Sequence, residues 1–528
     1  IITVSPFDRG KTVYRSTNGG VSWVGVIPAP AGATNWWFDL SYGSIDSATG
    51  KRSYYAVGVT NNGTVSANAY RSQDQGATWT KLTLPAITSS GISRVSVSAS
   101  PTSANVVYVG VAYSNASGAS TGKVFRSGDR GATWTDITGP ASGDLLSASW
   151  GQSWYDFYVT ASSRVVNGVT RDMVYVGLID ILEYVYTGNT SDKWVSINGA
   201  YTGVDLVHVD QHRLNVNPNN PNNVVVGNDG GVYQMDYDGS NWTPKSMNRS
   251  LGMTQFYSAA YHPSDSLTMM AGAQDNGTAG IGGDPGNWYG LTGGDGGYCA
   301  INQSDPTQFF TSSQFLNIYY YDSAGWNYIT PGYGNDNVAF IAPFILDPAD
   351  QGVLYAGTSY LYRWTKSSGS WENRLGNQKL SANGAIRSIA VAPSDKKRIY
   401  TGSSDGEVWM TADRGATWSR INSGTTSLPN RAIMSIAVQP DNPDQILVGV
   451  SGSGTGHLWR CDNTLAGATR AWTNVSGSGT SGLPDISLNS VALGIIDPVK
   501  AYYVGTDVGV FTTSNGGMTW ANATQQLG

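Results

Sequence analysis

Ser127-Gly128-Asp129-Arg130-Gly131-Ala132-Thr133-Trp134 reads as a hydroxyl residue, an acid two positions on, a glycine, a second hydroxyl residue and a tryptophan. The same pattern, Ser/Thr-x-Asp/Asn-x-Gly-x-Ser/Thr-Trp, occurs at Ser16–Trp23, Ser72–Trp79, Thr411–Trp418 and Thr513–Trp520. Its polar residue is Asn18, Asp74, Asp129, Asp413 or Asn515, and its last residue is Trp23, Trp79, Trp134, Trp418 or Trp520. A short Asp or Asn side chain satisfies backbone groups of a tight turn. The glycine supplies the positive φ such a turn requires. The indole is expected to bury a large ring between neighbouring repeats, which contributes a few kcal/mol at roughly 25 cal/mol per Å². These acids are therefore expected to hold turns rather than to perform chemistry.

Between the five boxes lie six eroded copies that keep the tryptophan: Trp194, Trp242, Trp288, Trp326, Trp371 and Trp472. The steps between successive tryptophans are 56, 55, 60, 48, 46, 38, 45, 47, 54 and 48, so eleven units run along the chain. Each has the length of one four-stranded propeller blade. The internal grammar repeats as well. Ser388–Pro393, Arg398–Gly402 and Glu407–Met410 are short β-branched and aromatic runs ahead of a box, and Leu214–Pro218, Val224–Gly227 and Gly231–Tyr233 follow the same order. No helical periodicity competes. The expected fold is an all-β propeller of about eleven blades. Two tandem rings of the seven-blade type are favoured, an incomplete first over residues 1–200 and a second over 201–528, with a boundary near 196–206. One ring of ten or eleven blades is the alternative. Ile1–Gly10 has room for at most one strand before Lys11–Arg15, which precedes the first box.

The 528 residues carry 66 glycines and 21 prolines, in keeping with frequent turns. Charged residues make up 13%, about half the usual quarter, while hydrophobic residues stand at 40%, enough to bury cores. A net charge of −6 gives no general attraction to phosphate, so nucleic acid is not an expected partner. No apolar run is long enough for a transmembrane helix. The chain opens on Ile1-Ile2-Thr3-Val4 without a signal peptide, so either a leader has been removed or the sequence begins inside a longer one. Cys299 and Cys461 are expected to be buried thiols in different repeats. Low charge, abundant Ser, Thr, Asn, Gly and Tyr, and nine Asn-x-Ser/Thr sequons suit an extracellular or cell-surface protein.

The box and its spacing resemble the BNR/Asp-box repeat proteins, the β-propeller superfamily that includes sialidases, sortilin-type receptors and the family 74 xyloglucanases. Large secreted glycosyl-hydrolase-like proteins are similar at Gly151–Asp156, His208–His212, Gly227–Gly231, Gln274–Thr278 and Gly293–Gly297. The resemblance implies fold more strongly than function, since these relatives include hydrolases, receptors and assembly factors. The arginine-bearing opening motif of sialidases is not matched, because Arg15, Arg71 and Arg126 directly precede boxes. Thr506-Asp507-Val508-Gly509 and the tandem-ring layout suggest the xyloglucanases, although the residues around that family's catalytic aspartates do not match closely enough to carry them over.

Candidate chemistry lies outside the boxes. His208, Asp210 and His212 alternate, so on a strand they would share one face and either ligate a metal or stack as a polar ladder. Asp229, Asp275 and Asp295 sit among glycines that let backbone approach closely, so they either line a funnel, bind structural calcium or cap turns. Trp154 and Tyr155 beside Asp156 suit sugar stacking or a buried blade interface alike. These motifs fall in consecutive repeats and so are expected to converge on one mouth of the ring. Tyr319-Tyr320-Tyr321 with Trp326 and Tyr328 reads as a carbohydrate platform or as core, and His262 and His457 as incidental. The five non-box aspartates are the catalytic candidates, and Trp154, Tyr155, His208 and His212 the ligand-binding ones. The favoured function is a secreted or surface-displayed propeller that binds polysaccharide or an extracellular protein or builds an assembly. The alternative is a glycoside hydrolase that cuts a β-glucan or xyloglucan with paired carboxylates.

Overall fold

The computed structural model describes residues 2–4, 13–27, 34–87, 91–139, 150–189, 191–200, 206–252, 254–284, 286–496 and 499–524. Ile1, residues 5–12, and residues 201–205 of the expected ring boundary lie outside them. Ten four-stranded antiparallel sheets and one of three strands follow each other along the chain. In all of them hydrogen-bonded neighbours are consecutive in sequence. Helix is confined to short 3-10 turns among the described residues, and no helix is long and apolar enough to cross a membrane. The eleven sheets are the eleven blades read from the tryptophan spacing. Blade 1 consists of Ile2–Val4, Val13–Arg15 and Val24–Gly25. Blades 2 to 11 begin at Thr34, Gly91, Tyr158, Gln211, Phe256, Cys299, Phe344, Ile386, Ile433 and Leu488.

Apolar side chains collect between successive blades and form no single core. One cluster joins blades 3 and 4 through Tyr108, Val124, Phe157, Val174 and Trp194, and another joins blades 9 and 10 through Tyr400, Met410, Ile433, Val448 and Trp472. Within each compact unit that is the packing of a β-propeller, in which successive sheets bury faces against one another. Two compact units result, 1–253 with blades 1 to 5 and 254–528 with blades 6 to 11. This division follows contact density. The partition into rings near 196–206 is a separate matter of closure and remains an expectation.

The box works as its sequence suggests. Ser127 Oγ donates to Asp129 Oδ1 (2.7 Å) and accepts from the Gly131 N–H (2.7 Å), while the Thr133 N–H and Oγ1 donate to the two carboxylate oxygens at 2.8 and 2.6 Å. Gly131 has φ +89°, and a Cβ there would stand 2.6 Å from Leu82. In the Asn boxes the side chain reverses one bond. Asn18 Nδ2 donates to Ser22 Oγ (2.8 Å) and Asn515 Nδ2 to Thr519 Oγ1 (2.7 Å), which a hydroxyl accepts as readily as it donates.

Among the described residues, three of the six tryptophans in eroded boxes, and two in intact ones, make a bond between blades. Trp194 Nε1 donates to the Ile137 carbonyl at 2.9 Å, Trp371 to Ile329 at 2.5 Å, Trp418 to Leu375 at 3.1 Å, Trp472 to Ile421 at 2.9 Å and Trp520 to Val475 at 3.1 Å. Each acceptor lies just past the fourth strand of the preceding blade. The indole thus pins one blade to the last, whether or not the turn before it keeps its acid. Burial of the ring does not hold everywhere: Trp23, Trp288 and Trp326 are 40%, 40% and 43% exposed.

At the inner strands a second device recurs. Ser41, Ser96, Ser98, Ser388 and Ser435 each accept, on the side-chain oxygen, a backbone N–H from the first strand of the next blade at 2.9–3.1 Å. Cys299 and Cys461 are free and buried, as expected. Tyr320 is buried between half-exposed neighbours, as strand alternation requires. His457, read as incidental, is instead a buried tie to Asp485 (3.0 Å).

Two outcomes follow. Trp472→Ala should destabilise by about 3–5 kcal/mol, and Trp472→Phe by about 1–3 kcal/mol through the stranded Ile421 carbonyl, as read by chemical denaturation. Hydrogen bonds from Thr78 and Thr133, together with those from Ser72 and Ser127, hold Asp74 and Asp129 down to about 2. A carboxyl lowered by folding contributes stability above its unfolded pKa of about 4 and loses it as pH falls towards 2. The double variant Asp74→Asn/Asp129→Asn should therefore fold normally and show a shallower loss of melting temperature between pH 4 and pH 2.

Candidate functional site

In a four-stranded meander, the first and third turns lie at one end of the sheet. The second turn and the link to the next blade lie at the other. The boxes occupy third turns. Asp229 follows the second strand of blade 5 (Asn220–Asn228) and Asp275 that of blade 6 (Thr268–Ala273), while Asp156, Asp210 and Asp295 precede the first strands of blades 4, 5 and 7. All five catalytic candidates therefore stand at the end of their blade away from the box.

Three of them meet in the first unit. Trp150, 1% exposed, packs on Phe157 with ring centroids 5.2 Å apart and anchors a 3-10 turn, Trp150–Gln152. The Gln152 carbonyl then accepts the Tyr155 and Asp156 N–H groups at 2.7 and 3.1 Å. This tight turn drives Asp156 inward and leaves Trp154 63% exposed beside the Tyr155 ring. The Tyr155 hydroxyl donates to the Asp229 carboxylate, 3.1 Å from either oxygen, and His212 Nε2 lies 2.5 Å from Asp229 Oδ1. Gln152 Nε2 donates to Asp210 Oδ1 at 3.1 Å.

The alternation expected for His208, Asp210 and His212 is not realised, because the strand starts only at Gln211. Asp210 has φ +61°, and its N–H is taken by the Ile179 carbonyl, so it belongs to a turn. His208 is tied back by its own backbone: its carbonyl accepts from Gln211 and Asn228, and Nδ1 contacts the Val209 carbonyl. A broken period cannot align three ligands. No group of three or more His, Cys, Asp or Glu among the described residues stands ready to hold a metal ion.

Electrostatics single out Asp156. It is fully buried, and neither of its oxygens makes a hydrogen bond of good geometry among the described residues. Burial, then the charges of Asp210 and Asp229, push its pKa up to about 8. Asp210, partly exposed, is also raised, first by burial and then by Asp229. At neutral pH this cluster holds a proton that isolated carboxyls would have lost. The inner strand Gly91–Ala99 contributes a residue the sequence reading passed over. Arg94 donates to the Tyr155 carbonyl and lies in the field of Asp39 and Asp156. A charged side chain in a strand otherwise of apolar residues and serine, in a chain so poor in charge, was the available signal.

Asp275 and Asp295 meet each other in the second unit. The Asp275 N–H donates to Asp295 Oδ1 (3.0 Å), and the Asp295 N–H to Gln314 Oε1 (3.3 Å). Backbone contact zips the two segments together, since a Cβ on Gly277 or Gly296 would fall 1.9 Å from the Thr292 or Gly277 carbonyl oxygen. The candidates thus gather into two groups, one in each compact unit.

No family model matches the chain. Over 210 residues, 34% of its length, it is 26% identical to a probable oligoxyloglucan-reducing end-specific xyloglucanase of Neosartorya fischeri, 23% of which is covered. Over 265 residues, 45% of its length, it is 25% identical to an oligoxyloglucan-reducing end-specific xyloglucanase of Emericella nidulans, with 28% covered. The chain therefore spans about a quarter of the length of the curated relatives it matches. Among solved structures, a GH74 enzyme of Niastella koreensis aligns over 99% of this chain and 78% of its own at 15% identity and a TM-score of 0.32. An ancestral GH74 enzyme aligns over 99% and 68% at 14% identity and a TM-score of 0.48. The relatives that this chain resembles are family 74 xyloglucanases, as its repeat and flanking motifs implied.

Proposed function

We propose that this chain is a glycoside hydrolase acting on a β-glucan of the xyloglucan kind, working outside the cell. The activities of its relatives favour this over a purely binding propeller. The observation that carries it is the cluster of three carboxyls, with Asp156 buried against Asp210, Asp229 held by Tyr155 and His212 alongside, and burial raising the pKa of Asp156 to about 8. Glycoside cleavage needs one carboxyl that gives a proton and one carboxylate that stays charged, and environments that push their pKa values apart supply both. In this reading the proton held by buried Asp156 shifts to Asp210, which gives it to the leaving oxygen, so the pair ends the step with one proton fewer. Asp229, fixed by Tyr155 and His212, is the second carboxylate. Trp154 stacks on a sugar ring.

Reducing ends should appear from xyloglucan or mixed-linkage β-glucan. Asp210→Asn and Asp229→Asn should each lower kcat/KM by about 10²–10⁴-fold, and Trp154→Ala should act mainly on KM. Activity should fall on the alkaline side as the pair loses its proton near pH 8. No release from either glucan, or variants as fast as the native chain, would refute the assignment.

Stability should report Asp156 independently of activity. Its folded pKa is raised, so ionisation of the unfolded chain erodes stability from about pH 4 upwards until the folded group also ionises near 8. Asn mimics the neutral carboxyl. Asp156→Asn should gain melting temperature over the native chain, by a margin that widens from pH 4 to pH 8; a constant margin would show that Asp156 is not held neutral.

A further inference from the structure

The turn between the second and third strands of blade 7, Gln314–Leu316, breaks a rule the other turns keep. Phe315 and Leu316 are consecutive non-glycine residues at φ +56° and +64°, a region that bulky side chains avoid. Leu316 has a packing reason, since it is wholly buried with Phe310, Ile318 and Phe344. Phe315 has none, because its ring is turned outward, 46% exposed, edge-on to Phe340 with centroids 5.4 Å apart, and Phe340 is itself 44% exposed.

The strain is held in place from the link between blades 7 and 8. The Phe315 N–H donates to the Phe340 carbonyl (2.8 Å), and the Tyr333 hydroxyl donates to the Phe315 carbonyl (2.9 Å). That link is fixed in turn by Asp336, whose side chain is 3% exposed and accepts from Arg374 (2.5 Å), Tyr362 (2.6 Å) and Thr358 (3.1 Å). Strained backbone that surrounding structure over-determines gathers at ligand clamps. The neighbouring residue in the turn, Gln314, accepts from the Asp295 N–H, and Asp295 Oδ1 accepts from the Asp275 N–H, so the residue next to Phe315 is an amide tied to a pair of acids.

We propose that Phe315 and Phe340 form a pre-organised stacking subsite for one sugar ring of a β-glucan chain, with Gln314 and Asp295 taking its hydroxyls. Aromatic faces next to amide and carboxylate groups are what a pyranose offers contacts to: an apolar ring face rimmed by hydroxyls. A rigid platform also avoids the ordering cost that weakens flexible sites. The subsite rests on the polysaccharide reading above, but not on hydrolysis.

The test is mobility in native gels cast with xyloglucan or mixed-linkage β-glucan, for the native chain, Phe315→Gly and Phe315→Trp. Glycine adopts the left-handed turn without strain, so Phe315→Gly should keep or raise the melting temperature while binding at least tenfold more weakly. Phe315→Trp should bind at least as well as the native chain. A native chain unretarded by both glucans, Phe315→Gly retarded as strongly as the native chain, or a lowered melting temperature in Phe315→Gly would each overturn the subsite. A chain that is retarded but releases no reducing ends would lose the hydrolase assignment and keep this one.

Discussion

An indole N–H reaching back to the carbonyl that ends the previous blade is the constraint on which the repeat depends. Sheets of four short strands cannot bury both faces alone, and stacking them solves burial but not rotation about the contact. A directional bond at the outer strand, paired with serine oxygens that catch backbone N–H groups at the inner strand, fixes blades 4, 10 and 11 at two radii. Erosion of the Asp turn at Trp194, Trp371 and Trp472 is then tolerable, because the turn chemistry is local whereas the indole contact joins two blades.

How much of this was legible in the chain varies with the range of the interaction. The box turn is made by residues two to four apart, and its hydrogen bonds follow from the side-chain types alone. Blade count was equally readable, since one tryptophan lies in or directly before the last strand of each blade. Which of the five candidate acids would meet was not readable. Asp156, Asp210 and Asp229 meet across sequence separations that spacing cannot resolve, and the period-two reading of His208–His212 failed because Asp210 adopts a left-handed turn just before the strand begins. Phe315 carried no sequence signal, since bulky residues give no hint of positive φ.

The carboxyl cluster also shows why such sites are poor places to look for stability. Burying Asp156 near two other acids raises the free energy of its charged form by more than the hydrogen bond to its own backbone offsets. The rest of blades 4 and 5 is well packed, with Trp150, Phe157, Tyr158 and Trp194 almost fully enclosed. A rigid surround lets one uncomfortable group persist.

The boxes and the aspartates of interest stand at opposite ends of the same strands. Scaffold upkeep and chemistry therefore draw on separate sets of loops. Lengthening or exchanging the links that carry Trp154 or Phe340 leaves every box turn untouched, so within a blade one end can be remodelled while the other keeps the strands in register.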